Sequence, residues 1–260
     1  MGVALTILLG TFLGLPVAVL IVRSVVVGAL QVAVTNPSVL DALELSLITT
    51  AISLGLTVLI ATPVSLLLAR RQFRGKSLLE TIVDLPIVLP PSVAGLALLL
   101  AFGRRGLFGD ELAALGISLP FTTAAVVLAQ MFVAMPFFIR AARAGFMGVE
   151  REVEDAGRID GASEWQLTRR ITIPLAGTAL ASGLVMTWAR ALGEFGATIM
   201  FAGNFPGTTQ TLPLVVYDQF NSGDVDASVA ASAILVIAAF AVLVAVRGLG
   251  FGRFLDFRGA

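Results

Sequence analysis

The chain is 260 residues long, 57% hydrophobic and 13% charged, where soluble domains carry about a quarter charged residues. Together with a mean hydropathy of +0.97, this composition belongs to an integral membrane protein. Its 17 basic and 17 acidic residues cancel, so net charge points to neither nucleic acid nor an acidic partner, and the absence of Cys and His excludes thiol chemistry, disulfides, Cys/His metal sites and histidine acid–base catalysis.

A helix crossing a hydrocarbon core of about 30 Å needs about 20 apolar residues. The first such run, 3–22, has no basic region ahead of it and no small-x-small cleavage site. It is expected as a retained span, not a signal peptide. A short outward loop at 31–43, marked by Asn36-Pro37, leads to the second span at 45–68. The third, 82–102, carries Asp84 and the run Leu89-Pro90-Pro91-Ser92. Adjacent prolines either break the helix there or mark its start at the interface; a break is tolerated where it is buried in protein or lines a wet cavity. The turn Gly103-Arg104-Arg105-Gly106 opens a second outward loop, 103–120, before the fourth span at 122–139. A charged segment, 140–174, separates this from the fifth span at 175–197, and a longer outward loop at 201–228 precedes the sixth at 229–246. With no internal repeat and no low-complexity linker, 1–260 is expected to be a single all-α transmembrane domain of six helices.

Basic residues fix the expected orientation. Arg70, Arg71, Arg74 and Lys76, then Arg140, Arg143, Arg151, Arg158, Arg169 and Arg170, then Arg247, Arg253 and Arg258 fall on one side. They outnumber Arg23, Arg104 and Arg105 opposite, so both termini and the charged segment are expected in the cytoplasm.

Within that segment, residues 150–170 read as two short helices broken near Gly161. Acidic residues crowd the first half and Arg169-Arg170 the end, the polarity a helix dipole favours. Ser163 followed by Gln166 fits a capping box, Trp165 and Leu167 supply apolar contacts, and Pro174 starts the next span. An amphipathic helix lying on the lipid surface is the alternative.

The order Asp155-Ala156-Gly157, three residues, Gly161, nine residues, Ile171-Thr172-Ile173-Pro174 resembles the EAA loop of ABC-transporter permeases, whose pattern is E-A-A, three residues, Gly, nine residues, I-x-L-P. Asp155, Gly157 and Ile173 depart from it conservatively. The resemblance implies a type I ABC importer permease fold in which the short helix after the glycine seats in a groove of a separate ATPase subunit. The coupling residues would then be Glu154, Asp155, Ala156, Gly157, Gly161, Ala162, Ser163, Glu164, Trp165, Ile171 and Pro174. The chain carries no G-x-x-x-x-G-K-[ST] loop, so ATP and Mg are expected on that partner, with no cofactor here.

The run from Ala189-Arg190-Ala191-Leu192-Gly193-Glu194 through Gly203-Asn204 to Thr211-Leu212-Pro213 is similar to molybdate/tungstate permeases, with sulfate/thiosulfate permeases as near relatives. That resemblance implies a homodimer in the cell (cytoplasmic) membrane, two ATPase copies and an extracytoplasmic oxyanion-binding protein. Arg190 and Glu194 stand one helical turn apart and can pair, although intramembrane charges are also candidates for a pore or gate. A dianion in low dielectric needs donors to replace its water, while a deep basic cluster would trap it. The expected path residues are Pro90, Pro91, Ser92, Arg190, Glu194, Thr198, Asn204 and Thr211. A gradient-driven secondary transporter would show inverted repeats and ionisable relays, and a membrane-embedded enzyme a catalytic grouping. The sequence shows none of these.

Overall fold

The computed structural model describes residues 2–246; Arg247, Arg253 and Arg258, used above for orientation, lie outside the described residues. Among the described residues all regular structure is helical, with no β-strand. In chain order the helices are α1 Gly2–Val27, α2 Ala29–Thr35, α3 Pro37–Arg70, α4 Lys76–Val88, α5 Pro91–Phe102, α6 Gly109–Ala114 and α7 Thr123–Met147. There follow α8 Arg151–Ile159, α9 Glu164–Leu167, a π-helical turn Thr168–Thr172, α10 Ile173–Leu175, α11 Gly177–Leu192, α12 Gly196–Phe201, α13 Leu212–Asn221 and α14 Val225–Val246.

Four helices are long and apolar enough to cross a membrane: α1, α3, α7 and, over Val225–Val242, α14. Two further pairs qualify only if each bent pair is one span: α4 with α5, bent by 119°, and Glu164–Leu175 with α11, bent by 73°. The first bend follows from the prolines. Leu89 (ψ 133°) and Pro90 (ψ 136°) are both extended, as the ring of a following proline demands. Pro91 then sits in the first turn of α5, where its missing N–H costs nothing. The Pro-Pro run is thus a break between two helices, α4 and α5.

Residues 2–46 and 204–240 form one compact unit and residues 47–203 another. In the first, Val39, Ala42, Leu212, Val215 and Ala231 make a small core, and the Leu212 N–H donates to Ser46 Oγ at 2.8 Å. The expected loop at 31–43 is instead largely helical: Asn36 Oδ1 accepts from Ser38 N at 3.1 Å, and Pro37 opens α3. A search for continuous apolar runs passes over that first stretch because Asp41 and Glu44 sit on its exposed side.

In the second unit α7 is the enclosed element, with Val126, Val133, Phe138 and Phe146 inside two cores. Thr122 caps it, accepting from Ala125 N at 3.2 Å. Small residues let α11 lie close on α7: a Cβ on Gly183 would stand 2.8 Å from that of Ala141. Gln130, buried midway along α7, donates to the Thr49 and Thr50 hydroxyls of α3 at 3.3 Å each. Where a span was expected at 175–197, α11 stops at Leu192 and α12 begins at Gly196.

Candidate functional site

The segment between α7 and α11 is organised by one buried carboxylate. Glu154, 6% exposed, is placed on the inward side of α8. Arg70 Nη2, at the end of α3, donates to its Oε1 at 2.7 Å and also to the Val149 carbonyl at 3.1 Å. The Thr172 hydroxyl donates to the same Oε1 at 2.7 Å. Glu154 therefore ties α3, α8 and the π-helical turn to one another. Its buried position makes it an internal strut of the loop, with the outer face left to other residues.

The outer face is held by a second set of charges. Arg158 reaches forward across the turn to Glu164, Nε to Oε1 at 2.8 Å and Nη2 to Oε2 at 3.2 Å, and back to Asp155 Oδ1 at 2.6 Å. These hydrogen bonds, from Glu164 first and Asp155 second, raise the Arg158 guanidinium above its ordinary value. Gly161 makes the turn between the two helices at φ +87°, a left-handed conformation that a side chain disfavours. Ser163 then caps α9 in a reciprocal box: its hydroxyl accepts from Gln166 N at 3.3 Å and its own N–H donates to Gln166 Oε1 at 2.8 Å.

Gly157 faces inward, where a Cβ would lie 2.6 Å from Leu167 Cδ2 and 2.9 Å from Ile171 Cδ1. The space left by this glycine is filled by the buried Leu167, which fastens α9 to α8. Asp155, Ala156, Gly161, Ser163, Glu164 and Trp165 are exposed, Ala162 and Ile171 half-buried, and Pro174 exposed after the π-helical turn. Trp165 is 68% and Ile159 87% exposed on this otherwise charged loop. Sequence reasoning did not find Arg70, Arg158 or Thr172. Arg158 carried a signal, six residues from Glu164 across a glycine; Arg70, 84 residues from Glu154, carried none.

The residues expected along a translocation path fall in both units. In the unit formed by 47–203, the starts of α5 and α12 meet: a Cβ on Gly196 would stand 2.7 Å from Pro91 Cβ and 3.1 Å from Ser92 N. Pro90 caps α5, and Ser92 is exposed at its start. Arg190 Nη1 lies 2.6 Å from Glu194 Oε2, and Glu194, 1% exposed, accepts from Ala197 N at 2.7 Å through Oε1. One carboxylate thus neutralises the arginine closing α11 and caps the helix that follows. Thr198 is fully buried with no partner for its hydroxyl. In the unit formed by 2–46 and 204–240, Thr211 is buried at the start of α13 and Asn204 half-buried, each with an unpartnered side-chain oxygen. Among the described residues no group of three or more His, Cys, Asp or Glu could hold a metal ion.

The family described as "Binding-protein-dependent transport system inner membrane component" matches residues 61–254. The chain is 45% identical over 213 residues to the molybdenum transport system permease protein ModB of Mycobacterium tuberculosis, covering 82% of this chain and 80% of that one. It is 35% identical over 246 residues, 93% of each chain, to the molybdate/tungstate transport system permease protein WtpB of Thermococcus kodakarensis. Among solved structures it is similar to a chain of a bacterial alginate ABC transporter in complex with an alginate pentasaccharide-bound periplasmic protein. There the TM-score is 0.77 over 98% of this chain and 93% of that one, at 16% identity. That likeness is one of fold.

Proposed function

The chain belongs to the binding-protein-dependent transport system inner membrane components, and from that premise we propose that it is the membrane-spanning subunit of an ATP-driven importer of molybdate and tungstate. It is a multi-pass protein of the inner membrane, and its work is transport, not catalysis. The observation that carries the cargo is the 35–45% identity to permeases named for molybdenum, molybdate or tungstate, over most of the chain.

The docking loop supports the coupling half of the reading. Its two short helices are clamped by Arg158, braced from beneath by Glu154, and present Trp165 and Ile159 outward. A groove on a separate ATPase subunit would take that face. ATP binding would draw two such loops together, one from each copy of a homodimer, and turn the cavity outward toward a loaded binding protein. Hydrolysis on the partner would reset it. Both termini and the loop face the cytoplasm in this reading. The proposed path residues are Pro90, Pro91, Ser92, Arg190, Glu194 and Thr198 in the unit formed by 47–203, and Asn204 and Thr211 in the other. The one arginine there is already neutralised, so an oxyanion meets hydroxyls and amides that bind it weakly enough to release it.

ATP-driven tungstate uptake into vesicles holding the chain, its ATPase and its binding protein tests the proposal, with sulfate as competitor. Uptake untouched by excess sulfate, and lost when Gly161 or Glu164 is disrupted, is expected. Strong competition by sulfate would reassign the cargo, and uptake without ATP would overturn the coupling.

A further inference from the structure

A cavity of about 690 Å³ opens where the end of α3 meets the docking loop. One wall is apolar, formed by Pro63, Leu66 and Leu67 on the last turns of α3. The rest of the lining carries Arg70 and Arg71, where the same helix ends, with Arg151 and Arg158, beside Glu154, Asp155 and Glu164. Four guanidiniums facing three carboxylates leave one net positive charge. Its distribution is uneven, because Arg70 is bound to Glu154, and Arg158 to Asp155 and Glu164. Among the described residues, Arg71 and Arg151 have no carboxylate within ion-pair distance. Two cations outside these ion pairs therefore line a cavity that also presents the hydrocarbon of the last turns of α3.

The position of the cavity matters as much as its lining. α3 is a 34-residue apolar helix ending at Arg70, so its last turn stands where hydrocarbon gives way to headgroups, on the side its basic residues mark. A free phosphate would use the arginines and leave the leucines wet; a ligand that is anionic at one end and apolar at the other uses both. Basic pockets beside transmembrane helices on the cytoplasmic side are suited to such headgroups. We propose that this cavity binds one anionic phospholipid, with Arg71 and Arg151 on the phosphodiester and Pro63, Leu66 and Leu67 along the start of an acyl chain. Arg71 follows α3 and Arg151 opens α8, so the bound headgroup bridges the membrane helix to the docking loop. The lipid then acts alongside the Arg70–Glu154 pair and makes the loop's placement depend on anionic lipid. The inference uses the membrane reading alone and is independent of the cargo.

Native mass spectrometry of the full chain in detergent, supplied with phosphatidylglycerol or phosphatidylcholine, reads this directly, without ATPase or transport. The chain is expected to retain one phosphatidylglycerol preferentially. Each arginine near a headgroup contributes about fivefold, so Arg71→Gln with Arg151→Gln should weaken retention about 30-fold. Arg74→Gln, which removes a nearby cation that does not line the cavity, should leave retention unchanged. Both arginines are exposed and unpaired, and a thermal melt confirms that the variants stay folded. Equal retention by the double variant overturns the proposal, as does an equal loss with Arg74→Gln, which would mean diffuse charge attraction. Full displacement by inorganic phosphate would make the site one for free phosphate and overturn it too.

Discussion

The docking loop and the break between α11 and α12 are built from the same parts. Each interrupts a helix, and each sets an arginine and a glutamate at the interruption. In the loop Arg158 meets Glu164 in the open, with the two side chains 41% and 75% exposed. At the break Arg190 meets a Glu194 whose side chain is 1% exposed. The contacts are nearly the same length, 2.8 Å and 2.6 Å, but the two pairs differ in burial and in that Arg158 holds a second carboxylate, Asp155. A buried carboxylate left without its cation costs far more than the pair contributes while intact, whereas an exposed pair exchanges protein for water at little cost. The loop's charges can therefore be spent on orientation, and those at the break fix structure.

Breaking the pair that holds the buried Glu194 gives the largest expected effect. Arg190→Gln strands Glu194, which Ala197 N still holds in place, and should cost about 3–5 kcal/mol. Arg190→Met with Glu194→Gln removes both charges while keeping an acceptor for Ala197, and should recover most of that loss. Thermal unfolding in detergent checks both; equal damage from the single and double variants would mean that the charge pair is not what matters.

Removing Glu154 leaves behind Arg70, whose side chain is 17% exposed and lines the cavity beside the loop, where removing Arg190 leaves a carboxylate 1% exposed. Water can reach the arginine once its partner is gone. Glu154→Ala should therefore cost less than Arg190→Gln, about 1.5–3 kcal/mol for a hydrogen-bonded charge. The damage should be local, appearing as faster proteolysis of residues 148–161 with the α7 and α11 helices still protected. Cleavage spread evenly over the chain would show that Glu154 holds more than the loop.

Next comes the turn. A Cβ at Gly161 meets open space, but its φ of +87° strains any L-residue, so Gly161→Ala should cost about 1–2 kcal/mol. At the other break the conformation is ordinary and the space is closed, since Gly196 abuts Pro91. Gly161→Asn, which tolerates the left-handed region, should restore much of the loss at the loop, and Gly196→Asn should not. Uptake and unfolding measured together separate the two causes.

What the sequence made readable follows the range of each interaction. The capping box at Ser163, the helix break at Gly161 and the Arg190–Glu194 pair all join residues within four positions, and local pattern suffices for them. The apolar segments were readable because the membrane imposes their length: four are helices long enough to cross it, six if each bent pair is one span, and the all-helical fold agrees with the family the chain belongs to. The Glu154–Arg70 strut was invisible because 84 residues separate its ends. The end of α11 at Leu192 was hidden for a different reason: the apolar character runs on past it, and what stops the helix is Glu194 turning to cap Ala197. Hydropathy likewise passed over the start of α3, where charged side chains sit on an exposed face. It also carries no angle, so the 119° turn at Pro90 could be read as a break but not as a direction.

The smallest expected effect on stability is the most informative about coupling. Arg158→Gln removes the clamp across Gly161 but leaves the capping box, the buried Leu167 and the Glu154 strut in place. Each short helix can still form and the loop can still fasten to α3, so the unfolding temperature should not move. What is lost is the fixed angle between α8 and α9, and with it the orientation of Trp165, so ATP-driven uptake should fall severalfold. Lysine at 158 keeps the charge but cannot make the two-pronged contact with Glu164, and should recover only part of the uptake. If Arg158→Gln lowered stability as much as Glu154→Ala, the exposed and buried charges of the loop would be one unit and the contrast with the α11–α12 break would fail. If uptake were untouched, the angle set by this clamp would have no part in docking, and Trp165 would find its groove without it.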